Sequence, residues 1–252
     1  MAIMALRHVT SKWKKTAVLL RFQHLTKYVP KTVRMTRDSL KLMLQQFQMV
    51  YAKPNVGTFG GGVMKVQSLG DGRYRYQLGL TPKSFDSYDK MYSSIERAIR
   101  GRYYLVQKGI PLLKHKHRRF DIRVMVQRSP LKQWETTGLI GRAAAKGKIV
   151  TNYHNGGTPM AVETLMSEHM STERKRTFTD DLRKMGVQVA KALSTQYPGI
   201  REIGIDVGVD EQFHPWILEV NTRPDPYIFR HLSDKSVVRK VLRYARSYGR
   251  VK

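Results

Sequence analysis

Residues 204–221 read GIDVGVDEQFHPWILEVN, two strand-like halves around EQFH. With EQFH as the turn, Asp206 sits opposite Glu219 and Gly204 opposite Asn221. Side chains alternate between the faces of a strand. One face then gathers Ile203, Ile205, Val207, Val209, Trp216, Leu218 and Val220, and the other Gly204, Asp206, Gly208, Glu219 and Asn221. Carboxylates directly opposed on paired strands repel, and a cation between them reverses the sign. Oxygen donors of this kind suit Mg²⁺, which keeps few protein ligands and fills its shell with phosphate and water. The two glycines would leave room for that phosphate. The alternative is a solvated polar face on an amphipathic hairpin, although solvent faces elsewhere in the chain carry Lys or Arg.

A second constellation is YAKPNVGTFGGGVMKV, residues 51–66. Gly57, Gly60, Gly61 and Gly62 make a flexible loop between strands, where backbone N–H groups can approach a phosphate. It is not a Walker A sequence, because no Lys-Ser/Thr follows the last glycine and no helix is announced. Lys53, on the entering strand, can reach a phosphate as a point charge. In FDIRVMV, Phe120, Ile122, Val124 and Val126 share one face, leaving Asp121 and Arg123 together on the other. An arginine so held suits bidentate binding of phosphate or carboxylate; the alternative is a structural Asp–Arg neighbourhood on a solvated sheet face. His154, in NYHNGG, reads as a loop histidine making local hydrogen bonds.

Stepping along the chain, residues to about Leu44 read as helical, with Trp13, Ala17, Leu20 and His24 near one helix face and Thr36 as an N-cap. Pro30 biases Val29 away from helix, so YVPKTVRM is extended. MVYAKP and VMKVQSL are strands around the glycine loop, and RYRYQLGL follows the turn GDGRY. SYDKMYSSIERAIRGR is a helix and YYLVQKGI a buried strand. FDIRVMVQ, TTGLIGRAAA and KIVTNY look like an antiparallel meander. A helix from about Thr179 to Gln196 precedes the hairpin, and a basic helix (Ser236 to Arg250) follows it. This order predicts an α+β fold with two sheet-bearing subdomains and a crease near Pro111 to His117.

The chain has 252 residues, 41% hydrophobic and 26% charged, which suits a globular protein with one large or two modest cores. It lacks cysteine, which excludes disulfides, cysteine-ligated zinc and a thiol nucleophile, and fits a reducing compartment. No run of about 18 apolar residues predicts a membrane span. The start, MAIMALRHVTSKWKK, has too short an apolar stretch for a signal peptide. Lys and Arg number 46 against 19 Asp and Glu, a net charge of +27 that drives association with polyanions at low salt.

Taken in order, AKPNVGTFGGGV, YLVQKGI, FDIRVMV, GRAAAKGKIVTNYHNGG and IGIDVGV…WILEVNTRP resemble the ATP-grasp fold, most closely its YheC/YheD branch, the endospore coat-associated proteins. The similarity runs from roughly Lys12 to Pro224, and Asp206 with the Glu219-x-Asn221 triplet is its most specific element. The resemblance implies two α+β subdomains clasping ATP. Residues 1–44 would be a short helical segment in place of a full preceding α/β domain, leaving the acceptor pocket abbreviated or borrowed from a partner. Residues 45–112 would form the small subdomain with its lid loop, and 113–252 the large subdomain with the metal site and basic C-terminal helix.

By the same resemblance, Lys53 would touch the α- and β-phosphates, and Thr58, Phe59, Gly60, Gly61 and Gly62 would close over the triphosphate. The backbone of Gln107, Lys108, Gly109 and Ile110 would meet the adenine edge. Asp206, Glu219 and Asn221 would hold one or two Mg²⁺ ions. Arg123 and Arg142 would steady the γ-phosphate or an acyl-phosphate, with Asn152 assisting. The implied activity is ATP-dependent joining of a carboxylate to an amine through an acyl-phosphate, which needs no covalent nucleophile. The positive charge points to an acidic peptide or protein as substrate. Two other readings compete: an ATP-binding assembly protein of the spore coat without turnover, and a polyanion binder with a vestigial site. The implied setting is cytoplasmic, in the mother cell, or the spore coat.

Overall fold

Local capping sets the helices. The computed structural model describes residues 8–58, 60–151 and 153–252. Ser11 caps α1 (Lys12–Leu19), and a short α2 (Gln23–Thr26) follows. Thr36 caps α3 (Arg37–Phe47) in a reciprocal box with Ser39, satisfying amides that the first helical turn leaves unpaired. Ser87 caps α4 (Tyr88–Ile99). After the short α5 (Val162–Leu165), Ser171 caps α6 (Thr172–Gln196), and Asp234 caps α7 (Lys235–Ser247). The long helix thus begins seven residues before the expected Thr179, because Ser171 supplies the cap and its polar first half needs no core.

The strands form two antiparallel sheets. The first has the order β1-β6-β2-β3-β4-β5: β1 (Thr32–Arg34), β2 (Met49–Pro54), β3 (Met64–Gly70), β4 (Arg73–Leu78), β5 (Thr81–Phe85) and β6 (Tyr104–Lys108). The second has the order β10-β9-β8-β11-β12: β8 (Arg118–Arg128), β9 (Trp134–Ala143), β10 (Thr158–Met160), β11 (Glu202–Val209) and β12 (Pro215–Asn221), with β7 (Lys114–His115) beside β8. This is the α+β architecture expected from the sequence. The chain crosses between sheets at 109–113, where the Leu113 amide donates to Val209 O at 2.8 Å.

Each sheet has its own core. Leu40, Met43 and Leu44 of α3, with Met91 and Ile95 of α4, pack on the first sheet. Val18 and Leu19 of α1, with Leu182, Val189 and Leu193 of α6, pack on Ile122, Val124, Ile203 and Ile205 of the second. The N-terminal residues thus serve both sheets, α1 one and α3 the other. The opposite face of β8 alternates Asp121, Arg123, Met125 and Gln127. Met125 joins Ile140, Phe229 and Val241 under α7, so an apolar contact interrupts the polar residues of this face. Among the described residues no helix is long and apolar enough to cross a membrane.

Three further expectations give way. The buried side of α1 carries Lys12, Lys15, Val18 and Leu19, whereas Leu20 and His24 are exposed and Trp13 and Ala17 only partly covered. The described part of KIVTNY is not a strand; Ile149, Val150 and Thr151 line a cavity between the sheets, and the short β10 is β9's outer partner. In the hairpin, a bulge between Asp206 and Val207 shifts the pairing so that Val207 faces Ile217 and Gly208 faces Trp216. The extra residue inverts the alternation. Ile217 therefore enters the core, while Leu218 lines the inter-sheet cavity and the Trp216 indole donates to Asp210 Oδ2 at 2.7 Å.

At Gly186 in α6, an added Cβ would lie 2.9 Å from Val126 Cγ2 and 3.0 Å from Val124 Cγ1. Helix propensity alone favours Gly→Ala by about 1 kcal/mol, but overpacking a filled core costs about 1–3 kcal/mol. Gly186→Ala is expected to lower stability in a urea titration, and a gain would mean the helix can back away from β8.

Candidate nucleotide and metal site

Sheet register brings the opening residues together. Asp206 pairs with Glu219, and Gly204 with Asn221, as the spacing predicts. On its other side Asp206 faces Arg123 of β8, and Asp121 faces Arg142 of β9. Arg123 Nε donates to Asp206 Oδ1 at 2.5 Å, and Arg142 Nη2 lies 3.0 Å from the same oxygen. Arg142 also grips Asp121 through Nε at 2.8 Å and through Nη2. All four side chains are buried, so the neighbourhood is not a solvated sheet face. Burial alone would push the Asp206 carboxyl up, yet Arg123 and Arg142 hold it below the usual carboxylate range. Burial likewise works against the Arg142 cation, and Asp121 and Asp206 more than restore it.

The glycines flanking Asp206 do not leave space for phosphate. A Cβ on Gly204 would lie 2.7 Å from Pro224 Cβ and 3.1 Å from Arg123 Cδ, and one on Gly208 would lie 2.5 Å from Leu112 Cδ2. They admit neighbouring side chains, and the open space lies beyond the carboxylates.

That space is two adjoining cavities, of about 480 and 110 Å³, with Asp206, Glu219 and Gly60 on the wall of both. The smaller is walled by Tyr51, Ile110, Leu112, Val150 and Leu218, with Lys53, Gln107 and Lys108 adding polar groups to those of Asp121, Thr151, Asp206 and Glu219. An apolar slot with convergent polar groups suits a flat heterocycle. Lys53 Nζ donates to Gln107 Oε1 at 2.7 Å and to Leu218 O at 2.8 Å, and Gln107 Nε2 donates to Thr32 Oγ1 at 3.0 Å. Burial pushes the Lys53 ammonium down to about 8, with Glu219 opposing the shift. The Lys108 and Gly109 amides are committed to sheet bonds, to Lys31 O at 2.8 Å and Met49 O at 3.0 Å. Gly109 lies behind the wall, where a Cβ would be 2.0 Å from Met49 Sδ.

Thr58, Gly60 and Gly61 of the glycine loop line the larger cavity. Gly62, at φ 75°, needs the left-handed region and has no room for a side chain: a Cβ would sit 2.6 Å from Tyr104 Oη. That hydroxyl donates to Gly62 O at 3.0 Å. The other end of the loop is held by Lys12, whose Nζ donates to Gly57 O at 2.9 Å and lies 3.4 Å from Glu219 Oε1. Phe59 and Asn152, both expected at the site, lie outside the described residues.

Sequence reasoning missed Lys12 and Lys15. Their i, i+3 spacing with Val18 and Leu19 marks one helix face, but charge hides it from a search for apolar periodicity. Lys15 Nζ donates to Val9 O at 2.8 Å, and burial pushes it down to about 8, with Glu219 opposing. Arg223 and Arg250 were also missed; with Lys12, Arg123 and Arg142 they line the larger cavity against the carboxylates Asp206, Glu219 and Asp225.

Could Asp206, Glu219 and Asn221 take Mg²⁺? They offer carboxylate and amide oxygens at one cavity wall, with no thiolate or imidazole among the three, which suits a hard divalent cation. Among the described residues no three His, Cys, Asp or Glu side chains gather into a metal-sized cluster. A two-carboxylate set fits an ion that relies on phosphate and water for the rest of its shell.

Two antiparallel sheets meeting at a cleft agree with the expected ATP-grasp fold, and comparison with known proteins bears out that class. The family model of YheC/D-like ATP-grasp matches residues 4–251, and the chain belongs to that family. It is 24% identical over 228 residues to the endospore coat-associated protein YheD of Bacillus subtilis (strain 168), covering 88% of this chain and 49% of YheD. It is 22% identical over 223 residues to YheC of the same organism, covering 86% of this chain and 61% of YheC. The chain thus spans only part of the curated relatives it matches. In fold it is similar to the ATP-grasp ligase PsnB solved with a phosphomimetic variant of its minimal precursor, Mg and ADP (TM-score 0.54, 13% identity, 95% of this chain and 58% of that one). It is also similar to N5-carboxyaminoimidazole ribonucleotide synthetase from Thermotoga maritima (TM-score 0.53, 13% identity, 95% of this chain and 49% of that one).

The buried lysines make a prediction with a definite sign. Between about pH 8 and their ordinary 10.5, Lys15 and Lys53 hold fewer protons folded than unfolded. Stability then rises with pH in that window, and the cost of burying the charges is fully present below it. Urea titrations at about pH 7.5 and 9.5 are expected to show this rise, and Lys15→Met to reduce it. An equal rise in the variant would mean that Lys15 is not the source.

Proposed function

We propose that this chain is an ATP- and Mg²⁺-dependent carboxylate–amine ligase that works through an acyl-phosphate. The observation that carries the reading is the meeting of Asp206 and Glu219 with Arg123, Arg142 and Lys53 around one cleft, under a glycine loop. The family's name and the ligases among its fold neighbours support it.

In this scheme the apolar walls of the smaller cavity take the adenine, and Lys53 turns from Gln107 and Leu218 O toward the phosphates. Thr58 and Gly60 offer backbone donors from the loop, whereas the Gly61 amide is bonded to Thr58 O at 3.1 Å. Asp206, Glu219 and Asn221 would hold Mg²⁺, which when bound neutralises phosphate charge. A substrate carboxylate oxygen attacks the γ-phosphorus, the bond to the bridging oxygen breaks, and ADP leaves. Arg123 and Arg142, fixed by Asp206 and Asp121, stabilise the charge that builds on the equatorial oxygens without having to reorganise. The amine then attacks the carbonyl carbon, expels phosphate and loses a proton. The side chains position and neutralise; none becomes covalently attached.

A second reading, an ATP-binding assembly protein of the spore coat without turnover, draws on the coat-associated names of YheD and YheC. ADP release that requires both an added carboxylate and an added amine separates the two. Tight Mg-ATP binding that never yields amide in a substrate screen favours the second.

Glu219→Ala is expected to weaken Mg²⁺-dependent ATP binding by at least about tenfold, the loss of one charged ligand, with an unchanged circular dichroism spectrum. Undiminished affinity in the variant removes the site assignment. Because Lys53 binds phosphate only when protonated and titrates at about 8 in the free protein, ATP affinity is expected to fall as pH rises through that value. Calorimetry across the range reads this directly, and Lys53→Arg should flatten the fall.

A further inference from the structure

The larger cavity has two ends of different character. At one end Asp206 and Glu219 face the glycine loop. At the other, partial burial and then the cations Lys15, Arg223 and Arg250 push the imidazole of the exposed His8 below its ordinary range. An imidazole carries at least one N–H donor in either protonation state.

The cations at this end differ in how they are engaged. Lys15 is tied to Val9 O. Arg250 is tied through Nε to Glu202 Oε1 at 2.8 Å, and its Nη2 reaches Pro224 O at 3.4 Å. Arg223 is exposed and makes no hydrogen bond or ion pair with another described residue. Glu202 lies near enough to feel Arg223, but it is buried and its oxygens are taken by Arg250 and Tyr248. Asp225, on the same wall, accepts the Tyr227 amide at 2.8 Å. An unengaged guanidinium with an imidazole on the same cavity wall is a fitting receptor for a carboxylate.

Building on the ligase reading, we propose that this end is a subsite for a second carboxylate of the substrate, and that the substrate is an acidic peptide. The reacting carboxylate would lie by Arg123 and Arg142, and a neighbouring acidic side chain by Arg223 and His8. The same cavity is lined by Pro224, Pro226, Tyr153 and Tyr227, the two tyrosines 41% and 42% exposed. Such a shelf of prolines and aromatic rings suits a polypeptide chain better than a small free anion. The net charge of +27 would steer an acidic chain toward it.

The test is calorimetric binding of the peptide N-acetyl-Glu-Glu-Glu-Glu-amide, with the Gln counterpart as control, at physiological salt, with and without Mg²⁺ and a non-hydrolysable ATP analogue. The Glu peptide is expected to bind and the Gln peptide to bind at least about tenfold more weakly. Arg223→Gln should weaken the Glu peptide about tenfold, the loss of one charge-assisted contact, and leave the analogue's affinity unchanged. Arg176→Gln, on an exposed stretch of α6, should change it less than about twofold. Equal losses in the two variants would reveal general polyanion adhesion and overturn the subsite, as would an undiminished Arg223→Gln or a wild type that ignores the Glu peptide. If the analogue fails to bind the wild type, the ligase reading falls, while the nucleotide-free arm still reports on Arg223.

Discussion

Four buried charges in a row govern this molecule: Arg123, Asp206, Arg142 and Asp121, alternating in sign across β11, β8 and β9. Ion pairs taken out of water give back little net stability, but removing one partner strands the other at a cost of about 3–5 kcal/mol. The row is therefore all-or-none. Its strand register, its closed side and its open side are fixed together, because any slip would bury a charge alone. What it confers is fixed geometry: two guanidiniums held in place on the cavity wall, which the proposed ligase chemistry would use.

The two sheets divide the work around that row. The first supplies Lys53, Gln107 and the glycine loop, and the second supplies the carboxylates and arginines. Helix α1 reaches across the division. Its Lys12 bonds the loop at Gly57 O while facing Glu219, so one ammonium group links the cover of the cleft to a proposed metal ligand. A divalent ion at Glu219 would compete with Lys12 for the same oxygen, which couples occupancy of the site to the hold on the loop.

Much of this was legible in the sequence, and the losses have physical causes. The pairing of Asp206 with Glu219, and the shared face of Asp121 and Arg123, follow from strand alternation and a turn. Trp216 and Leu218 defeated the same rule because a single bulged residue reverses parity, and composition does not announce it. Ile149 and Val150 are as apolar and β-branched as a strand, since the wall of an apolar slot asks for the same side chains as a sheet. Lys12 and Lys15 were invisible to hydrophobic periodicity because the face they occupy is buried and charged at once. Gly204 and Gly208 were correctly seen as places without side chains, but their vacancy serves Pro224, Arg123 and Leu112.

The bulge after Asp206 has a wider consequence. A regular hairpin transmits any shift at its tip along its whole length, since every pairing depends on the one before. Here the surplus residue acts as a slip joint: pairs from Val207–Ile217 to the turn follow one count, and those from Asp206–Glu219 to Gly204–Asn221 another. Variation around the EQFH tip can therefore be absorbed before it reaches the carboxylates, leaving the distal arm free to diverge while the chemical end keeps its alignment.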